Sequence, residues 1–154
     1  MDNKRLSKKR ERKAAEDIGG KAHALSGAGW SLKGDLSNDM WLVEDKFTHE
    51  KQYSIQHTIL QKVDKQSLKV GKLSALRFGF QGTNRNYAVV ETKHLKNTNK
   101  TIMFTTEKNS ILFKLEDLIR LANNNTLCEI VFEKQDKKYY ILTLEYFVEI
   151  HKEV

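Results

Sequence analysis

Two kinds of periodicity alternate along this chain, and together they predict a mixed α/β domain, a central sheet flanked by helices. Helical spacing recurs over 57–72 and 111–122, and between these stretches lie short apolar runs bounded by turn residues. The composition agrees. With 154 residues, 39% hydrophobic and 31% charged, the chain has enough apolar material for one core and too much for a disordered polypeptide. No run approaches the ~18 apolar residues of a membrane helix, and no apolar stretch follows the basic N-terminus as a secretory signal requires. A cytoplasmic site of action away from any membrane is therefore expected.

The elements follow in order. Helix signals run from Leu6 to Ile18, with Ser7 as a candidate N-cap and Gly19-Gly20 as the stop. A short-chained loop, Ser26-Gly27-Ala28-Gly29-Trp30-Ser31, leads to Lys33-Gly34-Asp35. Asn38-Asp39 reads as a turn, and Met40 to Lys46 as a strand whose apolar run ends in charge. Tyr53 to Ile55 is a further strand. His57 to Lys72 is a helix in which Ile59, Leu60 and Val63 recur near the 3.6 period, closed by Gly71. Ala75–Phe80 and Tyr87–Glu91 are strands around Gln81-Gly82-Thr83-Asn84, and Ile102–Thr105 is another. Ile111 to Ala122 reads as an amphipathic helix. Leu127–Phe132 and Tyr139–Ile150 read as a hairpin; the second strand is apolar on both faces, so it is either central or covered by a second subunit. No internal repeat is apparent.

Charge is uneven. The thirteen residues from Met1 to Lys13 hold seven basic side chains (Lys4, Arg5, Lys8, Lys9, Arg10, Arg12, Lys13) and two acidic ones, so this arm carries +5 of the formal +7. An arm of this kind suits phosphate contacts; a solvated helix face is the plain alternative. Cys128 is the only cysteine, which excludes an intrachain disulfide framework and a cysteine-based zinc or iron–sulfur site. The five histidines have no metal-ligand spacing, and no phosphate-binding Gly-x-x-x-x-Gly-Lys loop occurs.

The stretch that carries chemistry is Lys33-Gly34-Asp35 followed by Val43-Glu44-Asp45-Lys46. Side chains alternate along a strand, so Glu44 and Lys46 share one face. Asp35 lies just across the Asn38-Asp39 turn, where a hairpin brings it beside the following strand. Two carboxylates so placed can share a divalent cation, and hard oxygen ligands suit Mg²⁺. Such an ion acidifies water and stabilises charge on phosphate oxygens, while an ammonium orients the nucleophile.

In this region the chain resembles the PD-(D/E)XK nuclease superfamily, and within it the archaeal-type Holliday-junction resolvases that also occur in phages. The resemblance rests on five features in order: a glutamate on a helix ending in Gly19-Gly20, the loop from Ser26 to Gly29, Lys33-Gly34-Asp35, Leu42-Val43-Glu44-Asp45-Lys46, and Tyr53-Ser54-Ile55 leading into a helix. It spans about Glu11 to Phe80. Gly34 stands where the family has its proline, and the chain has no proline at all. Asp45 fills a position that is usually apolar or small; its face must be partly exposed or Asp45 must be paired, and the strand is then not expected to be covered on both faces.

The resemblance implies a nuclease core over 6–92, preceded by the basic arm at 1–13 and followed at 93–154 by a C-terminal extension of the same domain that offers a dimer surface. It implies Asp35 and Glu44 as metal ligands, the backbone carbonyl of Asp45 in the inner shell, and Lys46 as the catalytic lysine. For the helical glutamate Glu11 and Glu16 compete: Glu11 is the better candidate because it shares a face with Ala14, Ala15 and Ile18, and Glu16 lies about 140° round the helix. Ser26 joins the site through the scissile phosphate or the metal. Lys33 and Ser31 join the basic arm as DNA contacts. The function implied is a Mg²⁺-dependent endonuclease, with Mn²⁺ as a substitute, that makes paired nicks in four-way junctions as a homodimer in the cytoplasm. The alternatives are another nuclease of the superfamily, restriction-type or single-strand, and a non-catalytic basic DNA-binding module.

Overall fold

The computed structural model describes residues 21–22, 36–37, 39–96 and 99–152. Its main sheet has eight strands. Two are two-residue pieces, β1 (Lys21–Ala22) and β2 (Leu36–Ser37). The six longer ones are β3 (Trp41–Thr48), β5 (Leu73–Phe80), β6 (Asn86–Glu91), β7 (Lys100–Thr106), β9 (Thr126–Phe132) and β10 (Lys137–Thr143). Their spatial order is β1-β2-β3-β5-β6-β10-β9-β7. β4 (Gln52–Gln56) and β8 (Ser110–Lys114) form a separate antiparallel pair. Among the described residues the α-helices are α1 (His57–Lys69), α2 (Leu115–Asn123) and α3 (Leu144–Lys152). The mixed α/β architecture expected from the periodicity is thus present.

The sheet is mixed because β3 runs parallel to β5 and β7 parallel to β9, whereas the other neighbours are antiparallel. A parallel pair cannot be joined by a tight hairpin; each needs a crossover, and α1 and α2 supply them. Both helices stop at a residue in the left-handed region just past the C-cap, Gly71 (φ 68°) and Asn125 (φ 52°), one a residue without a Cβ and the other the type that best tolerates this backbone.

These connections reveal a repeat that the sequence hides. The unit β3-β4-α1-β5-β6 is followed by β7-β8-α2-β9-β10, with the same order and the same pairing directions. The two units meet along β6 and β10, where Val89 faces Ile141, and along β4 and β8, where Ser54 faces Leu112. Equivalent bonds appear in each. The Glu50 amide donates to Thr48 Oγ1 at 3.1 Å, and the Lys108 amide to Thr106 Oγ1 at 3.1 Å. The His57 amide donates to the Asn109 carbonyl, and the Leu115 amide to that of Lys51. Phe80 meets Tyr87 edge-on at 6.1 Å, and Phe132 meets Tyr139 edge-on at 6.0 Å. The fold is therefore a pseudo-twofold pair of ββαββ units, and the expectation of no internal repeat is corrected.

Two boundaries also differ from the sequence reading. Residues 111–114 belong to strand β8, and the helix begins only at Leu115, because pairing with β4 captures Ile111 to Lys114. The strand expected over 139–150 ends at Thr143, and Leu144 opens α3. Thr143 Oγ1 accepts the Tyr146 amide at 3.2 Å, the bond of an N-cap. Of the two placements left open for this segment, β10 takes the central one, between β6 and β9. Residues 100–143 thus supply three of the six longer strands of the main sheet, where the sequence reading has a hairpin appended to a core.

The core lies on both faces of the sheet. One face buries Trp41, Val43, Ala75, Val90, Leu142 and Phe147, with α3 as cover. The other buries Leu76, Phe78, Val89, Ile130 and Ile141 beneath α1, α2 and the β4–β8 pair, through Leu60, Leu118, Ile55 and Phe113. Among the described residues no helix is long and apolar enough to cross a membrane.

Candidate active site

β3 explains why an apolar run ends in charge. Trp41 to Asp45 are all buried and the strand emerges only at Lys46. Glu44 and Lys46 lie on one face, as alternation requires. Lys46 Nζ stands 3.1 Å from Glu44 Oε1; the carboxylate side chain is 8% exposed and the lysine 41%. A buried carboxylate at the rim with a flexible ammonium beside it can present oxygen toward solvent without losing its counter-charge.

Asp45 points to the opposite face and is paired there. Arg77 on β5, its neighbour in register, reaches Asp45 Oδ1 through Nη1 at 2.6 Å and Asn86 Oδ1 through Nη2 at 3.0 Å. Both members of the ion pair are buried. Of the two possibilities for Asp45, pairing is realised. The expectation that its strand is not covered on both faces is overturned: β3 lies between β2 and β5 and is buried through Asp45, and the arginine makes that burial tolerable.

Tyr53 on β4 also belongs to this neighbourhood. Its ring stacks on Phe78 at 4.6 Å, and Phe78 is the register partner of Lys46. Burial first, then the charges of Glu44 and Asp45, push its phenol up to about 12, so it stays a protonated donor near the carboxylate. Sequence reasoning assigned no site role to Tyr53 or Arg77. The signal for Tyr53 was its place two residues before Ile55, on the inward side of a strand; for Arg77 it was a lone arginine inside an apolar strand, which implies a buried acidic partner.

A second Glu-x-Lys closes β6. Val89-Val90-Glu91-Thr92-Lys93 repeats the pattern of an apolar run ending in acid and base. Glu91 is ringed by cations: Lys93 Nζ at 2.8 Å, Lys137 Nζ at 3.3 Å and His94 Nε2 at 3.9 Å. Burial raises the pKa of this carboxyl, but hydrogen bonds and charge from Lys93 and Lys137 outweigh it, and the net shift is downward. Its strand partner on β10 is Tyr139. Two lysines already offset the charge of Glu91, as in a structural ion cluster.

The other expected site residues lie outside the described residues: Glu11, Ser26 and Asp35, and the DNA contacts Lys4, Arg5, Lys8, Lys9, Arg10, Arg12, Lys13, Ser31 and Lys33. Described next to them are the pairs Leu36 with Val43 and Ser37 with Leu42, which join β2 to β3 in antiparallel register. Among the described residues no group of three or more His, Cys, Asp or Glu side chains is arranged to hold a metal. Cys128 is buried in β9, and burial pushes its thiol up to about 12, so it offers no thiolate. The sequence matches no protein-family model and no curated protein.

Proposed function

We propose that this chain is a divalent-metal-dependent DNA endonuclease of the PD-(D/E)XK kind, acting on four-way junctions as a resolvase. The observation that carries the reading is the Glu44–Lys46 pair on β3 together with the register of β2. The ladder joins Ser37 to Leu42 and Leu36 to Val43, and the proposal sets Asp35, which precedes Leu36 in the sequence, at the same rim as Glu44. Two carboxylates would then share one rim with one ammonium. Two carboxylates facing one ammonium would carry a net negative charge, which a divalent cation relieves. The connectivity agrees with the reading: β2 antiparallel to β3, then a helical crossover to the parallel strand β5.

In this reading Asp35 and Glu44, with the Asp45 carbonyl and Glu11, hold Mg²⁺ or Mn²⁺. When bound, the ion acidifies a water and withdraws charge from the phosphate oxygens. Lys46, half exposed beside Glu44, orients the nucleophile and offsets charge on the phosphate. Tyr53 donates from the flank. Arg77 fixes β3 through Asp45, so that Glu44 and Lys46 keep their geometry. The basic arm at 1–13, Ser26, Ser31 and Lys33 contact the sugar–phosphate backbone, which sets orientation without reading sequence. Two nicks in one junction need two sites, and each chain has one, so a homodimer is part of the proposal.

The test is cleavage of a labelled four-way junction beside a linear duplex of the same sequence, with Mg²⁺ and with EDTA. Paired symmetric nicks in the junction alone, lost in EDTA, support the reading. Equal cleavage of both substrates moves it to a restriction-type or single-strand nuclease. Binding without cleavage makes the chain a basic DNA-binding module.

A further inference from the structure

We infer that the outer edge of β7 is a self-pairing surface through which two copies of this chain join their sheets. The pseudo-twofold makes β7 the counterpart of β3. On β3 the outer edge is occupied by β2; β7 pairs on its inner side with β9 and, among the described residues, ends the sheet. Its exposed residues include Ile102 (43%) and Met103 (54%), unusual for a sheet edge facing water. Natural edges are commonly blunted by an interior lysine, a proline or a bulge. Here the only charge is Lys100, at the start of the strand.

The occupant is a second β7 because the strand suits itself. Thr101-Ile102-Met103-Phe104-Thr105 has the same polar–apolar pattern in both directions. Antiparallel pairing about Met103 sets Ile102 opposite Phe104 and Thr101 opposite Thr105. It sets Lys100 opposite Thr106, so no like charges face each other across the joint. β-branched and aromatic pairs of this kind are the ones that stabilise neighbouring strands. The proposed function calls for a homodimer without placing its surface; this inference places one, and its test reads mass and not cleavage, so either can fail without the other.

The experiment is sedimentation velocity on the full chain across micromolar concentrations. The wild type should be a dimer. Met103→Lys sets two ammonium groups against each other across the twofold and should give a folded monomer whose cooperative thermal transition no longer varies with protein concentration. Leu112→Lys, at an exposed apolar position on β8, which pairs with β4 and not with β7, should remain a dimer. Met103→Cys should cross-link to a covalent dimer under mild oxidation, since residues at the twofold lie within disulfide reach; buried Cys128 does not compete. A wild-type monomer at every concentration overturns the inference. So does a Met103→Lys dimer, a Met103→Cys variant that fails to cross-link, or dissociation by Leu112→Lys.

Discussion

Glu44 and Asp45 are consecutive on β3, yet each meets a different cation on a different face: Lys46 at 3.1 Å on one side and Arg77 at 2.6 Å on the other. The first pair is half open to water and the second is sealed. In the proposed reading the first pair does chemistry and the second holds the strand, and the two should respond differently to substitution.

Glu44→Gln, Asp35→Asn and Lys46→Ala should each lower cleavage by about two to three orders of magnitude while DNA affinity stays within a few-fold, because each removes stabilisation specific to the transition state. Glu91→Gln should leave cleavage nearly intact, because Lys93 and Lys137 already engage that carboxylate. Single-turnover cleavage beside binding titrations gives both readouts. Strong loss in Glu91→Gln with activity in Glu44→Gln would transfer the site to β6.

Replacing Mg²⁺ by Mn²⁺ should preserve turnover, whereas Ca²⁺ should support DNA binding with little cleavage, its longer and looser coordination positioning water poorly. Full cleavage in EDTA would refute the metal assignment.

Removing Arg77 alone strands a buried carboxylate. Arg77→Ala should destabilise the fold by about 3–5 kcal/mol, and the joint change Asp45→Leu with Arg77→Met by much less. Urea unfolding of the three proteins measures it. Equal losses in both variants would mean the pair does not compensate for its own burial.

Stability should fall as pH drops below about 6.5. Burial, with the charge of Lys137, lowers the pKa of His57; burial also lowers that of His94, against the pull of Glu91. The folded state therefore resists protons that the unfolded chain takes up. The stabilisation from neutral imidazole is complete above the unfolded value near 6.5 and is lost as pH falls toward the lower folded values. Urea midpoints at pH 7.5 and 5.5 should differ, and His57→Phe should shrink the difference. An unchanged pH slope in that variant would assign the effect elsewhere.

Deleting residues 1–9 removes Lys4, Arg5, Lys8 and Lys9. The slope of log K against log salt should become shallower by about 0.9 for each phosphate that the shortened chain no longer neutralises. Fluorescence anisotropy across a salt series would detect it, and an identical slope would reduce the arm to a solvated tail.

How far the sequence carried depended on whether the deciding interaction was local. The α1 helix was legible from its periodicity and Gly71, and β3 from an apolar run that stops at Glu44. Ile111 to Lys114 fits helical spacing equally well, and what makes it a strand is β4, nearly sixty residues away in the chain. Leu144 to Ile150 alternates like a strand, and the cap at Thr143 with Glu145 in the first turn was the overlooked helix signal. The repeat left few identities, among them Thr48 with Thr106, Phe80 with Phe132 and Tyr87 with Tyr139, because a packed position asks for shape and burial and seldom for one residue type. In the site, alternation alone put Glu44 beside Lys46. The Asp45–Arg77 pair joins residues 32 apart, and only the parallel register brings them together.

The central place of β10 has a consequence for biosynthesis. Of the described strands of the sheet, the one that fills the gap between β6 and β9 is translated after all the others. Until position 143 has left the ribosome, the inner edges of both halves stay unsealed and open to wrong partners. A nascent chain stalled or cut before Lys137 should be degraded or aggregate as a unit, Glu44 and Lys46 with it, although both lie nearly a hundred residues upstream. On the proposed reading, cleavage would thus depend on completing the sheet, and a truncated polypeptide carrying the entire Glu-x-Lys strand would cut nothing.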